Sequence, residues 1–272
     1  MTRLAGTPWP EVAALAAAGA VLVVPIGATE QHGPHLPVTT DADLAVAVVE
    51  AAAATDPLLV SAPVVAYGSS GEHAGFAGTL SIGREVTESL LVELGRSATD
   101  TFGHVVFACT HGGNAAPVRA ALERLTAEGR PVTGWWPRWG GDLHAGRTET
   151  SLQLALHPGR VRADAPPGDT RGIDALLPLL RAGGVRSVSA NGVLGDPTGA
   201  TAEEGRALLA AAVADLGATV VAHRAGAATV RGGDGAVGTG RHDGTGRHDD
   251  NGRHDTGRHD DRQYDDRDGV RT

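Results

Sequence analysis

Three side chains able to hold a metal ion, Glu30, His32 and Asp41, fall within one short segment of this chain. Glu30 and His32 are two residues apart, so an extended backbone points both to one side. Asp41 comes just before an apolar-rich stretch over 44–54, where an N-cap or first-turn residue of a helix belongs. Pro25, Pro34 and Pro37 stiffen the connection, and Gly27 and Gly33 permit tight turns. Two carboxylates and an imidazole make a hard-to-borderline site that suits zinc, manganese or iron. Two later segments carry the same chemistry. His111 is followed by Gly112, Gly113 and Asn114, with the glycines letting the backbone approach an ion or substrate and Asn114 expected to cap the next helix. His144 and Glu149 lie together further on. Six such groups exceed what one zinc needs. Two divalent ions sharing a carboxylate is the economical reading, and a metal-bound hydroxide between ions roughly 3.5–4 Å apart attacks an amide carbonyl.

The elements that must position these residues follow a strand-then-helix alternation. Apolar runs at 20–26, 58–65, 104–109 and 131–136 read as buried strands. Helical spacing covers 44–54, 85–101, 115–128, 149–156, 172–182 and 202–216, with Val86, Leu90, Leu91 and Leu94 expected on one face of the second. Gly129 closes the third helix, and 218–223 is expected as a last strand. Strands buried on both faces and alternating with helices predict an α/β fold, a mainly parallel sheet between helical layers. Ligand sites in such sheets lie beyond the carboxyl ends of strands. His111 and the pair His144 and Glu149 both follow strands, as do Glu30 and His32.

Of the 272 residues, the last forty or so are unlike the rest. Gly-Arg-His-Asp recurs at 240–243, 246–249, 252–255 and 257–260. Such a segment buries too little apolar surface to offset its ordering entropy, so 1–226 is expected as one domain and 227–272 as a disordered tail. A formal charge of −9 and scattered arginines argue against a nucleic-acid surface. The single cysteine, Cys109, allows no intramolecular disulfide and suggests a reducing compartment. No signal peptide or membrane span is read from the N-terminus, so a cytoplasmic protein is expected. Cys109 is expected to be inert core, His35 structural, His104 a strand-start residue, and His157 and His223 surface residues. His73, beside Glu72 in a Gly/Ser-rich loop, is either a substrate contact or a surface residue.

The segment Gly-Ala-Thr-Glu-Gln-His-Gly-Pro-His-Leu-Pro-Val-Thr-Thr-Asp over 27–41 resembles the signature of the creatininase (creatinine amidohydrolase) family. The loops at 67–73 and 76–79, His-Gly-Gly-Asn at 111–114 and His-Ala-Gly-Arg-Thr-Glu-Thr-Ser at 144–151 match in the family's order. The resemblance covers roughly 10–216. It implies a three-layer α/β/α sandwich, a homo-oligomer, and a centre of two divalent ions (zinc, iron or manganese) that opens carbon–nitrogen bonds. Carried over, Glu30, Asp41 and His111 hold one ion, and His32, Asp41 and a further glutamate the other. Creatininase has that glutamate where this chain has Gly113, and Glu149 is the candidate replacement. His144 matches the family's late active-site histidine, suited to proton transfer or to stabilising the carbonyl oxygen, with Glu149 as a second catalytic candidate. Ser70, Glu72, His73, Gly112, Gly113 and Trp139 are expected around the substrate.

Creatininase also has a Trp-Asp pair where this chain has Gly140 and Gly141, which speaks against creatinine. The Trp-Trp-Pro-Arg-Trp stretch at 135–139 and the run into 151 are most similar to the branch acting in the mycofactocin system. That branch implies a peptidase that removes a C-terminal Val-Tyr dipeptide from a modified ribosomal precursor peptide. The alternatives are a hydrolase of creatinine or of a flavin- or deazaflavin-pathway formamide, and a metal-storing or metal-sensing protein using His242, His248, His254 and His259. Flanking arginines and the lack of preorganisation argue against the last.

Overall fold

The computed structural model describes residues 2–232. Five parallel strands, β1 (Thr2–Arg3), β2 (Val21–Ile26), β3 (Leu59–Ser61), β4 (Val105–Cys109) and β5 (Val132–Trp135), pair in the order β1-β3-β2-β4-β5. The helices are α1 (Trp9–Ala17), α2 (Thr40–Thr55), α3 (Arg84–Thr99), α4 (Ala115–Ala127), α5 (Arg147–Leu156), α6 (Ile173–Gly183) and α7 (Ala202–Gly232). Strand β2 lies at the centre, wholly buried, and its alternation divides the core. Leu22, Val24 and Ile26 pack with Phe107, Leu91, Val118 and Leu125 on the face covered by α3 and α4. Val21 and Val23 pack with Val48, Val49, Leu216 and Val220 on the face covered by α2 and α7. Two apolar layers on one parallel sheet make the expected three-layer sandwich.

Several expectations are corrected. The strand expected at 218–223 is the continuation of α7. Ala212, Leu216 and Val220, four residues apart, complete a buried helical stripe, and that tertiary contact outweighs the β-branched character of Val220 and Val221. The second expected strand shrinks to Leu59–Ser61, with Val65 adding only an isolated bridge to Ile26. On α3 the buried residues are Thr87, Leu91, Val92 and Gly95, whereas Val86, Leu90 and Leu94 face outward. Gly95 sets that choice, because a Cβ there would collide with Leu125 of α4. Elements β1 and α1 were not anticipated. Helix α7 runs beyond the domain boundary expected at 226, and the tail proper, with its Gly-Arg-His-Asp units, lies outside the described residues.

By length and hydropathy, Ala202–Arg224 resembles a membrane span. One stripe of it, Ala212, Leu216 and Val220, packs on the sheet, and polar contacts tie it to the domain. Trp135 Nε1 donates to Asp215 at 2.7 Å, and Arg224 pairs with Asp56 at 2.7 Å.

Candidate metal centre

The turn after β2 brings the first ligands to the sheet's carboxyl edge. Gly27 lets the start of α2 sit directly against that strand, since a Cβ there would strike the backbone of Asp41 and Ala42. Asp41 is consequently fixed in the first turn of α2, as the sequence predicts, and its carbonyl accepts a 2.7 Å hydrogen bond from Thr110 Oγ1. Asn114 does not cap α4. Its Nδ2 donates to the Gly27 carbonyl at 2.9 Å, and its Oδ1 accepts from Ser69 N at 2.8 Å. One side chain thus ties together the loops after β2, β3 and β4, and burial fixed its role where the Asn-before-helix pattern did not.

Glu30, His32, Asp41, His111, His144 and Glu149 converge as expected. Asp41 turns one oxygen to each of two histidines: Oδ1 lies 3.6 Å from His32 Nε2, and Oδ2 lies 3.3 Å from His111 Nδ1. Glu149 Oε2 stands 3.8 Å from His32 Nε2 and accepts the Ala145 N–H at 2.5 Å. Glu30 Oε2 is 3.2 Å from His111 Nε2, while Oε1 is 3.2 Å from His73 Nε2 and 3.8 Å from His144 Nδ1. His144 Nε2 lies 2.8 Å from the Gln31 backbone carbonyl. Ala145, between His144 and Gly146, takes a left-handed conformation (φ 52°), a local strain of about 1 kcal/mol or more that aims its N–H at Glu149.

Among the expected substrate contacts, Gly112 and Trp139 line a cavity of about 250 Å³ with Asp41, His111, His144 and Glu149. Ser70 is buried with Oγ 3.5 Å from His111 Nε2. His73 is buried, which removes the surface reading, and its Nδ1 lies 2.8 Å from the Gln31 amide nitrogen. Gln31 was not anticipated. Its Nε2 also donates to the Gly192 carbonyl at 3.1 Å, and its Oε1 accepts from Gly33 N at 2.9 Å. Its place between Glu30 and His32 was the one available signal. Elsewhere, His35 is structural, its Nε2 2.9 Å from Thr150 Oγ1. Cys109 is buried, its thiol pushed up to about 12 by burial. His223 is half-buried and stacks on His104 with ring centroids 4.3 Å apart, so it is more than a surface residue.

The centre fits divalent cations by its own polar bookkeeping. Both oxygens of Glu30, Oδ2 of Asp41 and Nε2 of His32 are buried without any hydrogen-bond partner. Leaving a buried carboxylate uncompensated costs several kcal/mol. Donor separations of 3.2–3.8 Å match groups that share an ion at about 2.0–2.2 Å. Without an ion, protons supply part of the compensation. Burial lifts the Glu30 carboxyl to about 8 against the pull of His111. Burial opposes charge on His32, but Asp41 and Glu149 outweigh it and raise the imidazole to about 10. His111 likewise rises to about 10, Glu30 and Asp41 overcoming burial. Asp41 is held far below the usual carboxylate range because His32 and His111 outweigh its burial. Burial and the neighbouring histidines keep His73 down at about 3 and His144 well below its ordinary value.

The sequence profile described as creatinine amidohydrolase matches residues 5–220. The chain belongs to the creatininase family. A mycofactocin precursor peptide peptidase of Mycobacterium tuberculosis (strain H37Rv) is 49% identical over 206 residues, covering 71% of this chain and 82% of the relative. The Mycolicibacterium smegmatis protein of the same name is 48% identical over 198 residues, covering 70% and 80%. A solved creatininase carrying a single tryptophan-to-phenylalanine mutation superposes with TM-score 0.68 at 26% identity, covering 80% of this chain and 97% of its own. Within that family, the chain is a hydrolase of C–N bonds.

Proposed function

We propose that this creatininase-family protein is a metal-dependent peptidase that removes the C-terminal Val-Tyr dipeptide from the modified mycofactocin precursor peptide. The observation that carries this reading is the 49% identity to a mycofactocin precursor peptide peptidase across 71% of the chain. We assign one ion to Glu30, Asp41 and His111 and a second to His32, Asp41 and Glu149, with Asp41 between them. Zinc, iron and manganese all suit this mixture of imidazole and carboxylate. Such ions, when bound, supply charge that acidifies a water and polarises the scissile carbonyl.

The chain's own groups supply the rest. Gly112 and Trp139 line the cavity that receives the peptide, whereas Ser70 and His73 stand outside its lining, beside His111 and Glu30. His144 holds its Nε2 proton on the Gln31 carbonyl and keeps Nδ1 on the Glu30 side of the centre. Hydrolysis places the water's oxygen on the carbonyl carbon, and His144 serves the proton that must reach the departing amine nitrogen. Glu149, which lines the cavity with His144, is the second group able to take that proton. The protein works as a cytoplasmic homo-oligomer.

Incubating the metal-loaded protein with a modified precursor peptide ending in Val-Tyr, and separately with creatinine, tests the assignment. Release of Val-Tyr with creatinine untouched is the expected result. Creatinine ring opening without peptide cleavage would overturn it, and inactivity on both would turn the search to formamides.

A further inference from the structure

Glu72 reaches the centre from the short helical turn Gly71–His73. Its Oε1 lies 3.7 Å from His111 Nε2, the same nitrogen that stands 3.2 Å from Glu30 Oε2. Glu30, Glu72 and His111 each offer a donor atom within 4.8 Å of the others. Groups that bind one ion at about 2.0–2.2 Å are themselves some 3–4 Å apart. The deciding neighbour is Glu30, fully enclosed with both oxygens unpartnered, which demands compensating positive charge on this side of the centre.

Gly113 is what admits Glu72. A Cβ at position 113 would collide with Glu72 Oε1, His111 Nε2 and the Ser69 carbonyl oxygen. Any side chain there expels the Glu72 carboxylate. The bare backbone at 113 leaves that space to a carboxylate arriving from the Gly71–His73 turn.

We propose that Glu72 joins Glu30 as a protein ligand of the ion on the His111 Nε2 side of the centre, occupying the space that Gly113 leaves open. This rests on the two-ion reading above. About a third of the Glu72 side chain is exposed, against 1% for Glu30 and 3% for Asp41. Glu72 is therefore the solvent-facing ligand, and its ion is the one that leaves first.

The test compares full-length wild type, Glu72→Ala and the isosteric Glu72→Gln, with circular dichroism confirming that each is folded. Zinc retained per chain is measured across a chelator series, and the visible absorption of the cobalt-loaded proteins is recorded. Wild type should release its ions in two steps. Both variants should release the first at chelator concentrations at least about tenfold lower, since losing even a group that only supports a ligand costs that much. Their cobalt spectra should change, and formate, which fits the space vacated in Glu72→Ala, should restore retention in that variant. Wild-type retention and an unchanged cobalt spectrum in both variants would overturn the proposal, even if turnover fell, because Glu72 would then be a substrate contact only. A wild type that holds no ion would instead overturn the reading beneath it.

Discussion

Asp41 is the residue on which the centre turns, because its two oxygens face two different histidines. Replacing it with alanine removes a donor from both ion sites, so Asp41→Ala should lose both ions. Elemental analysis showing full metal content would refute the shared role. His144→Ala should behave otherwise. His144 belongs to neither assigned ion site, so the variant should keep its ions and bind peptide while turnover falls roughly 10²–10⁴-fold. A loss of metal in that variant would make His144 a ligand. The hydrogen bonds of Gln31 sharpen this division of labour. Gly33 N fixes which end of the amide is oxygen, so its nitrogen must donate to His73 Nδ1. His73 then carries its proton on Nε2, facing Glu30, and has no lone pair there for an ion. These residue roles were partly legible in the sequence. Glu30, His32 and Asp41 declared themselves by type and spacing, whereas Gln31 acts only through partners that are distant in sequence, such as Gly192.

At the scale of elements, the decisive contacts are between loops. Asn114 joins three of them, and Asn114→Ala would strand the Gly27 carbonyl and the Ser69 N–H. Two lost hydrogen bonds and their desolvation should destabilise the fold by about 2–4 kcal/mol and loosen the metal centre. Equilibrium urea unfolding measures the first, and a change below about 0.5 kcal/mol would show that the clamp is dispensable. The strands β2, β4 and β5 were readable because each is an apolar run bounded by punctuating residues. The inward face of α3 was not, because 86, 90 and 94 form as regular a stripe as 87, 91 and 95. Only the close approach of Leu125 to Gly95 distinguishes them. The same limit applies to 218–223, where the strand reading failed because the partner of Val220 is a helix-to-sheet contact that no local pattern announces.

For the whole molecule, the buried charges couple stability to pH in a way that depends on metal. An unfolded histidine titrates near 6.5 and an unfolded glutamate near 4.3. Because folding raises His32 and His111 to about 10, their stabilisation is complete below about 6.5 and is lost as pH climbs through 10. Glu30, raised to about 8, acts in the same direction, its contribution fading as pH rises through 8. Chelated protein should therefore lose thermal stability between about pH 7 and 10. Metal-loaded protein should be much less pH-sensitive there, because cations replace those protons. Parallel curves for the two forms would contradict this account.

The arrangement of the centre along the chain has one more consequence. Cut in the turn between α3 and β4, near residue 102, the molecule would divide into one fragment holding Glu30, His32, Asp41 and Glu72 and another holding His111, His144 and Glu149. Neither piece holds a complete set of donors for either ion. Within the sheet the fragments meet where β2 pairs with β4, in the register that sets Ile26 beside Cys109. The catalyst is thus a lock with two keys, and ion capture by a mixture of the halves would report the reunion of that pair of strands.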